Sequence, residues 1–207
     1  MNEKDVKGIF LVLSEIMNEN RNYLIELDQQ NGDGDLGVSM SSGFKAASDV
    51  LQASSETDLG QLFMAASKAL NEAAPSTLGT ILTLWLMGMA KALRGKTEAS
   101  SEEVADAMLD GINRITERAK SKPGEKTILD ALYPGAIALK ESSADSFGAA
   151  FKEAYDKASE GSENTRNMRS VHGRAAYFSD KSIGVLDGGS VAGKLIFESL
   201  YKYFSQE

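Results

Sequence analysis

The chain has 207 residues, no cysteine, and a formal net charge of −8 from 22 basic and 30 acidic side chains. Proteins that bind nucleic acid favour a basic surface, so this acidic balance argues against a nucleic-acid partner. Without cysteine, the sequence has neither disulfide bridges nor thiolate metal sites, and we expect a cytoplasmic protein.

The N-terminal half is typical of amphipathic helices. The first residues, MNEKDVKGIF, are too charged for a signal peptide, and apolar side chains at helical spacing over 4–27 predict one long helix. A loop rich in Asp and Gly precedes a second predicted helix, about 37–52. Thr57 or Asp58 is the predicted N-cap of a third helix, which ends near EAAPST. Residues 78–93 are largely apolar but too few to span a bilayer, so they predict a buried helix and no membrane partner.

The C-terminal half predicts five more helical segments. Their approximate spans are 102–120, 128–142, 145–160, 165–170 and 190–204. Ser100 or Ser101 is the predicted cap of the first and Thr127 of the second, while 173–189 reads as a loop. Short connections between about eight helices favour antiparallel neighbours, so we predict an all-α bundle or closed ring. No repeat or linker divides the sequence, and residues 1–207 are predicted to form one domain.

The loop LDQQNGDGDLGVSMSSGF, residues 27–44, is the first candidate site. Asp28, Asp33 and Asp35 fall within it, interleaved with glycines that allow a tight turn. Carboxylates a few ångströms apart repel by roughly 4 kcal/mol per pair at an effective dielectric near 20. A cation would remove that repulsion, and oxygen ligands of this kind suit Mg²⁺, Ca²⁺ or Mn²⁺.

Two other readings of the acidic loop are open on spacing alone. Asn-Gly and Asp-Gly are ordinary turn dipeptides, so the segment could be a solvated acidic turn. An EF-hand beginning at Asn31 fits poorly, because Leu36 would stand where the sharp turn needs glycine and Ser42 where a bidentate glutamate is needed.

Four stretches, taken in order, resemble motifs of the L subunit, the nucleotide-binding subunit, of the dihydroxyacetone kinases. They are NGDGDLGVSMSSGF, EAAPSTLGT, PGEKTILDALYPGAIAL and GRAAYFSDKSIGVLDGGS. The first resembles the metal-binding loop of the family, and the resemblance runs from about residue 5 to 205. It implies a closed antiparallel eight-helix barrel with a nucleotide–metal site at one end.

The resemblance also implies which residues form that site. Two Mg²⁺ ions would lie between Asp28, Asp33, Asp35 and the phosphates of ADP or ATP. The implied nucleotide-binding residues are Leu36, Gly37, Val38, Ser39, Ala73, Ala74, Gly124, Tyr133, Arg174, Asp187, Gly188 and Gly189. Arg174 would pair with a phosphate or with Asp187. Three places depart from the family pattern. Leu36 replaces its usual histidine, and Gly188 stands where the family usually has a proline. The stretch EAAPST lacks the glycines and serine that approach the phosphates, and its Pro75 removes a backbone donor.

The function implied by the resemblance is that of a kinase subunit with no catalytic side chain of its own. It would pass a phosphoryl group from the bound nucleotide to a keto-sugar held by a separate K-type subunit, with a phosphocarrier subunit as a second partner; a homodimer is compatible with the sequence. The alternatives are a nucleotide-binding module of a fatty-acid-kinase-like, lipid-associated system and a regulatory Ca²⁺ binder. The lone His172 is predicted to be a surface or capping residue. The stretch EKTILD, which contains Lys126, lacks the upstream glycines of a P-loop and is predicted to be solvated surface or loop.

Overall fold

Helices provide the regular structure of residues 1–205, the part of the chain that this computed structural model describes. Within that range the α-helices are α1 Glu3–Glu19, α2 Arg21–Asp28, α3 Leu36–Gln52, α4 Leu59–Ala73, α5 Thr77–Ala92, α6 Ser101–Ala119, α7 Leu129–Glu141, α8 Phe147–Asn164 and α9 Gly188–Phe204. Two 3₁₀ segments, Thr165–Asn167 and Arg174–Ser182, join α8 to α9. Over residues 1–205, none of the helices combines the length and the apolar character needed to cross a bilayer.

The long helices form a closed ring. Following the chain, α1 packs on α3, and each helix from α3 to α8 packs on the next one, until α9 returns to α1 and closes the ring. The short helix α2 lies against α3 and α9. The interior is filled by fully buried apolar side chains, among them Phe44, Phe151 and Phe197. This arrangement confirms the predicted all-α class and the ring.

Polar side chains fix where the helices begin. The side chains of Asp58 and Ser100 accept hydrogen bonds from the first turns of α4 and α6, which confirms both predicted caps. Ser76, Ser146 and Asp187 cap α5, α8 and α9 in the same way. Each such cap stabilises a helix by about 1 kcal/mol, so the ring is built from helices with well-defined starts.

Two helix predictions were wrong in detail. The helix expected over 4–27 divides at Asn20, whose side-chain amide donates to the carbonyl of Ile16 at 2.9 Å and so competes with the helical backbone pattern. The helix expected over 165–170 is only the 3₁₀ turn Thr165–Asn167, and part of the loop expected over 173–189 forms the second 3₁₀ segment. The division at Asn20 leaves Asp28 at the end of a short helix, directly before the acidic loop.

Gly37 permits the close approach of α2 and α3. A Cβ atom at this position would lie 2.0 Å from the carbonyl oxygen of Arg21 and 2.8 Å from Cγ1 of Ile25. Because the nearest atom belongs to the backbone, the clash cannot be relieved by a side-chain rotation alone. Gly37 therefore helps to set the position of the acidic loop that joins the two helices.

We expect Gly37→Ala to lower the free energy of unfolding by roughly 1–3 kcal/mol, the usual cost of overpacking a tight contact. Urea titration followed by circular dichroism measures this. Ser41→Ala, on the same helix and at a side chain that bonds only to the carbonyl of Val38, serves as the control and is expected to be close to neutral. An alanine at position 37 with wild-type stability would show that α2 can move away from α3 without cost.

Candidate functional site

A cavity of about 970 Å³ opens at one end of the helical ring. Its walls come from the C-terminal ends of α2, α4 and α6 and from the N-terminal ends of α3, α5, α7 and α9, together with the loops between them. An antiparallel ring brings these alternating ends to one side. Helix N-termini carry unpaired N–H groups and a partial positive charge, so four of them around one cavity favour an anionic ligand.

The three predicted metal ligands meet at the rim of this cavity. Each of Asp28, Asp33 and Asp35 offers a carboxylate oxygen, and the three oxygens lie within 4.8 Å of one another. The loop folds tightly because Gly34 adopts a φ of +79° and donates its N–H to Oδ2 of Asp28 at 2.7 Å. The side chain of Asp35, at the N-cap position of α3, makes no capping hydrogen bond, which leaves it available for a ligand.

The electrostatics of the cluster fit a divalent cation. Burial raises the pKa of the Asp35 carboxyl, and the negative charges of Asp33 and Asp28 raise that pKa further, while Arg174 lowers it. A cation among these oxygens would offset both the burial and the repulsion. The donor set consists only of carboxylate oxygens, which is the ligand type that Mg²⁺ and Ca²⁺ prefer.

Arg174 joins the acidic loop to the segment before α9. Its Nη1 atom lies 2.6 Å from Oδ2 of Asp33 in an ion pair, so in this structure the guanidinium pairs with a member of the acidic cluster and not with Asp187. The side chain remains well exposed. It therefore brings positive charge to the rim of the cavity from the 3₁₀ segment that it begins.

Asp187 lies at the start of α9 and lines the same cavity. Its Oδ2 atom accepts the N–H of Ser190 at 2.6 Å. The pKa of Asp187 is raised to about 7, mainly by burial and further by the negative charges of Asp130 and Asp28. The N–H of Ser190 and the charge of Lys126 lower this pKa, but they offset the rise only in part. This carboxyl group is held in an environment where a proton or a cation is favourable.

The structure brings together eight of the predicted site residues at the cavity wall. They are Asp28, Asp33, Asp35, Leu36, Arg174, Asp187, Gly188 and Gly189. The others are absent from the wall of the cavity as the described residues form it: Gly37, Val38, Ser39, Ala73, Ala74, Gly124 and Tyr133.

Four of those seven residues show why they lie away from the cavity wall. Val38 and Tyr133 are each 42% exposed at the surface, whereas Ala74 is buried under the start of α5. Gly124 has a φ of +92° and donates its N–H to Oδ1 of Asp130 at 2.6 Å, which shapes the loop before α7. Their contact with a nucleotide therefore remains a prediction.

Several residues that line the cavity were not among the predicted site residues. Ser76, Thr77 and Thr80 line the cavity from the start of α5, directly after Pro75. The Ser-Thr pair before an apolar run is an N-cap signal, and it could have placed this helix N-terminus at the site. Across the cavity, Ser121, Lys126, Thr127, Ile128 and His172 are further wall residues.

Two of these wall residues have unexpected surroundings. Lys126 lies in the loop before α7, as one of the two predictions for its stretch has it, but it is not solvated: it is 4% exposed, and its ammonium is enclosed by backbone carbonyls. His172 is half-buried and its Nε2 atom lies 2.6 Å from Oε2 of Glu125. The hydrogen bond to His172 lowers the pKa of Glu125. Both contacts tie the loop between α6 and α7 to the segment that carries Arg174.

Comparison with known proteins gives consistent matches. The model of the family described as DAK2 domain matches residues 30–202. The PEP-dependent dihydroxyacetone kinase, ADP-binding subunit DhaL, of Escherichia coli strain K12 is 27% identical over 188 residues, or 90% of each chain. The PTS-dependent dihydroxyacetone kinase, ADP-binding subunit DhaL, of Lactococcus lactis is 29% identical over 187 residues, again 90% of each.

A solved structure confirms the fold. The dihydroxyacetone kinase from C. freundii, crystallised in complex with AMP-PNP and Mg²⁺, aligns with a TM-score of 0.76 at 22% sequence identity. The alignment covers 95% of this chain but only 33% of that one. The helical ring described above is therefore the fold of one part of that larger protein.

Proposed function

The chain belongs to the DAK2 domain family, and on that premise we propose that it is the nucleotide-binding subunit of a dihydroxyacetone kinase or of a kinase for a related keto-sugar. The observation that carries the proposal is the cluster of Asp28, Asp33 and Asp35 at the rim of a cavity that four helix N-termini face. Carboxylates alone would repel a phosphorylated ligand, so this pairing of acids with anion-binding helix ends makes sense when a metal ion lies between them.

In this proposal each group has a distinct task. Asp28, Asp33 and Asp35 hold two Mg²⁺ ions, whose chemistry is to neutralise charge on the phosphates during phosphoryl transfer. Arg174 and the first turns of α3, α5 and α9 bind phosphate oxygens. The cavity volume of about 970 Å³ is within the range of small-molecule sites and accommodates the remainder of ADP or ATP.

Phosphoryl transfer also needs an acceptor, which we propose is held by a separate K-type subunit. A phosphocarrier subunit would restore ATP from ADP without release of the nucleotide. Relatives of nearly the same length are themselves described as subunits of PEP- or PTS-dependent kinases, which supports an assembly of this kind. We place it in the cytoplasm, in agreement with the cysteine-free sequence.

Titration calorimetry with ADP tests the proposal. We expect binding in the presence of Mg²⁺ and little binding with a chelator, because the acidic cluster repels the diphosphate until a cation separates them. The same preparation, supplied with ATP and dihydroxyacetone but with no partner, is expected to show no turnover. Mg²⁺-independent ADP binding would reject the proposed function, because the metal would then not bridge the acids to the diphosphate. Ca²⁺ binding without any response to ADP would also reject it and would favour a regulatory role. Turnover without a partner would reject only the need for a K-type subunit.

A further inference from the structure

Lys126 lies in the interior between the cavity and the loops that connect α8 to α9. Its Nζ atom donates to the backbone carbonyls of Ser182 and Val185, each at 2.6 Å, and to those of Thr165 at 2.9 Å and Met168 at 3.2 Å. In the described part of the chain this ammonium forms no ion pair with a carboxylate. It is therefore coordinated by neutral oxygens, much as a bound cation would be.

The four carbonyls lie at the two ends of the segment 165–185, which connects α8 to α9. We call these two ends the bases of the segment. Thr165 and Met168 stand where the chain leaves α8, and Ser182 and Val185 stand where it returns toward α9. Three other hydrogen bonds connect the same bases. The N–H of Gly184 donates to the carbonyl of Arg166, Nη1 of Arg166 donates to the carbonyl of Gly184, and the N–H of Ser170 donates to Oγ of Ser182. Lys126 differs from these contacts because it comes from outside the segment and donates to two carbonyls of each base at once.

The 165–185 segment, whose two bases Lys126 joins, carries or adjoins residues of the candidate site. Arg174, which contacts Asp33, lies in its middle, and Asp187 follows its second base directly. Asp187 is also close enough for its charge to act on the Lys126 ammonium. The position of Lys126 thus controls where the arginine and the start of α9 lie relative to the acidic loop.

We propose that Lys126 is a positioning residue for nucleotide binding: its ammonium clamps both bases of the 165–185 segment and so presents Arg174 and the N-terminus of α9 to the ligand. The identity of that ligand rests on the function proposed above, whereas the clamp itself does not. A buried charge without a carboxylate partner is costly to retain. Its retention here is explained by the carbonyls, which no neutral side chain of this length could satisfy together.

Lys126→Ala combined with chemical rescue is the decisive experiment. The substitution removes a group that n-propylammonium matches atom for atom beyond Cβ, and the vacated space opens toward the cavity. We expect the variant to bind Mg²⁺-ADP about 10–100-fold more weakly, the usual effect of losing a group that supports a site from behind. Hydrogen exchange of the amides of residues 169–185 is expected to become faster. Added n-propylammonium, compared with equal sodium chloride, is expected to restore both properties.

Lys120→Ala is the matched control. Lys120 and Lys126 both have a left-handed backbone, with φ of 56° and 59°, so alanine imposes the same backbone change at each. Lys120 is exposed at the end of α6, and its variant is expected to match the wild type with or without propylammonium. A Lys126→Ala variant that also matched the wild type in exchange and in ADP affinity would overturn the proposal. The proposal would also be overturned if Lys126→Ala lost both exchange protection and ADP affinity and propylammonium restored neither.

The hydrogen-exchange measurement needs no nucleotide, so it separates this inference from the proposed function. If the wild type failed to bind ADP while exchange was fast in Lys126→Ala and was rescued by propylammonium, the clamp would stand and the proposed function would fall. If Lys126→Ala does not fold, the wild type labelled with ¹⁵N-lysine provides the test. We expect one ammonium resonance with slowly exchanging protons that shifts when Mg²⁺-ADP is added, and an absence of any protected lysine ammonium would overturn the clamp.

Discussion

Replacing Asp35 with asparagine is expected to weaken Mg²⁺-dependent ADP binding by roughly 100- to 1,000-fold, because one full charge is removed from direct contact with the cation. The unliganded protein is expected to be at least as stable as the wild type. Burial and the charges of Asp33 and Asp28 already disfavour the ionised form of Asp35, and its side chain makes no capping bond that the amide would lose. The substitution should therefore affect binding and stability in opposite directions.

Calorimetry with Mg²⁺-ADP and thermal unfolding of the unliganded protein measure the two effects. Asp49→Asn is the control, since Asp49 lies on the same helix and pairs with the exposed Lys45 at 2.6 Å. We expect it to bind nucleotide like the wild type and to change stability by less than about 1 kcal/mol. If Asp35→Asn were destabilised and still bound ADP normally, the acidic cluster would be a structural turn and not a metal site.

The second large effect concerns Asp187 and pH. Its pKa rises from about 3.8, the usual value of an exposed aspartate, to about 7 in the folded chain, so between these pH values the folded protein binds a proton more tightly than the unfolded chain does. Stability from this group is fully present below pH 4 and is lost as the pH rises through 7. The difference amounts to about 4 kcal/mol at most, at 1.36 kcal/mol per pKa unit.

Asp187→Asn is expected to remove most of this pH dependence. Asparagine is also a good N-cap, so the bond to the N–H of Ser190 has a replacement acceptor. Urea unfolding of the metal-free protein between pH 5 and pH 8 should show the wild type losing stability toward pH 8 while the variant changes much less. Asp58→Asn, at the N-cap of α4, controls for the exchange itself and should keep the wild-type slope. Parallel slopes for the wild type and Asp187→Asn would show that the Asp187 carboxyl is ionised throughout this range.

The parts of the molecule that sequence predicts well depend on neighbours along the chain. Helices with apolar stripes, the caps Asp58 and Ser100, and the acidic loop all follow from residues a few positions apart. The three aspartates converge because one tight, glycine-rich turn is enough to bring them together. Such features need no knowledge of how distant segments pack.

The parts that escaped prediction depend on contacts between distant segments. Lys126 looks like an ordinary loop lysine until the 165–185 segment folds over it and supplies carbonyls 39 to 59 residues away along the chain. Likewise, a motif match alone did not distinguish Ala74, buried beneath α5, from Ser76, which faces the cavity two residues later. An error of two residues at a helix start changes which residue faces the cavity, and sequence spacing does not resolve that difference.

In the proposed site, the ion pair between Arg174 and Asp33 competes with both ligands, the metal ion and the phosphate. While Nη1 of Arg174 holds Oδ2 of Asp33 at 2.6 Å, the arginine acts as a placeholder and reduces the attraction of that carboxylate for a metal ion. A phosphate offers the guanidinium a second anion, and the exchange of partners releases the aspartate. On this proposal the metal ion and the nucleotide should each increase the affinity of the site for the other by reciprocal linkage, and a divalent ion without a nucleotide should bind weakly.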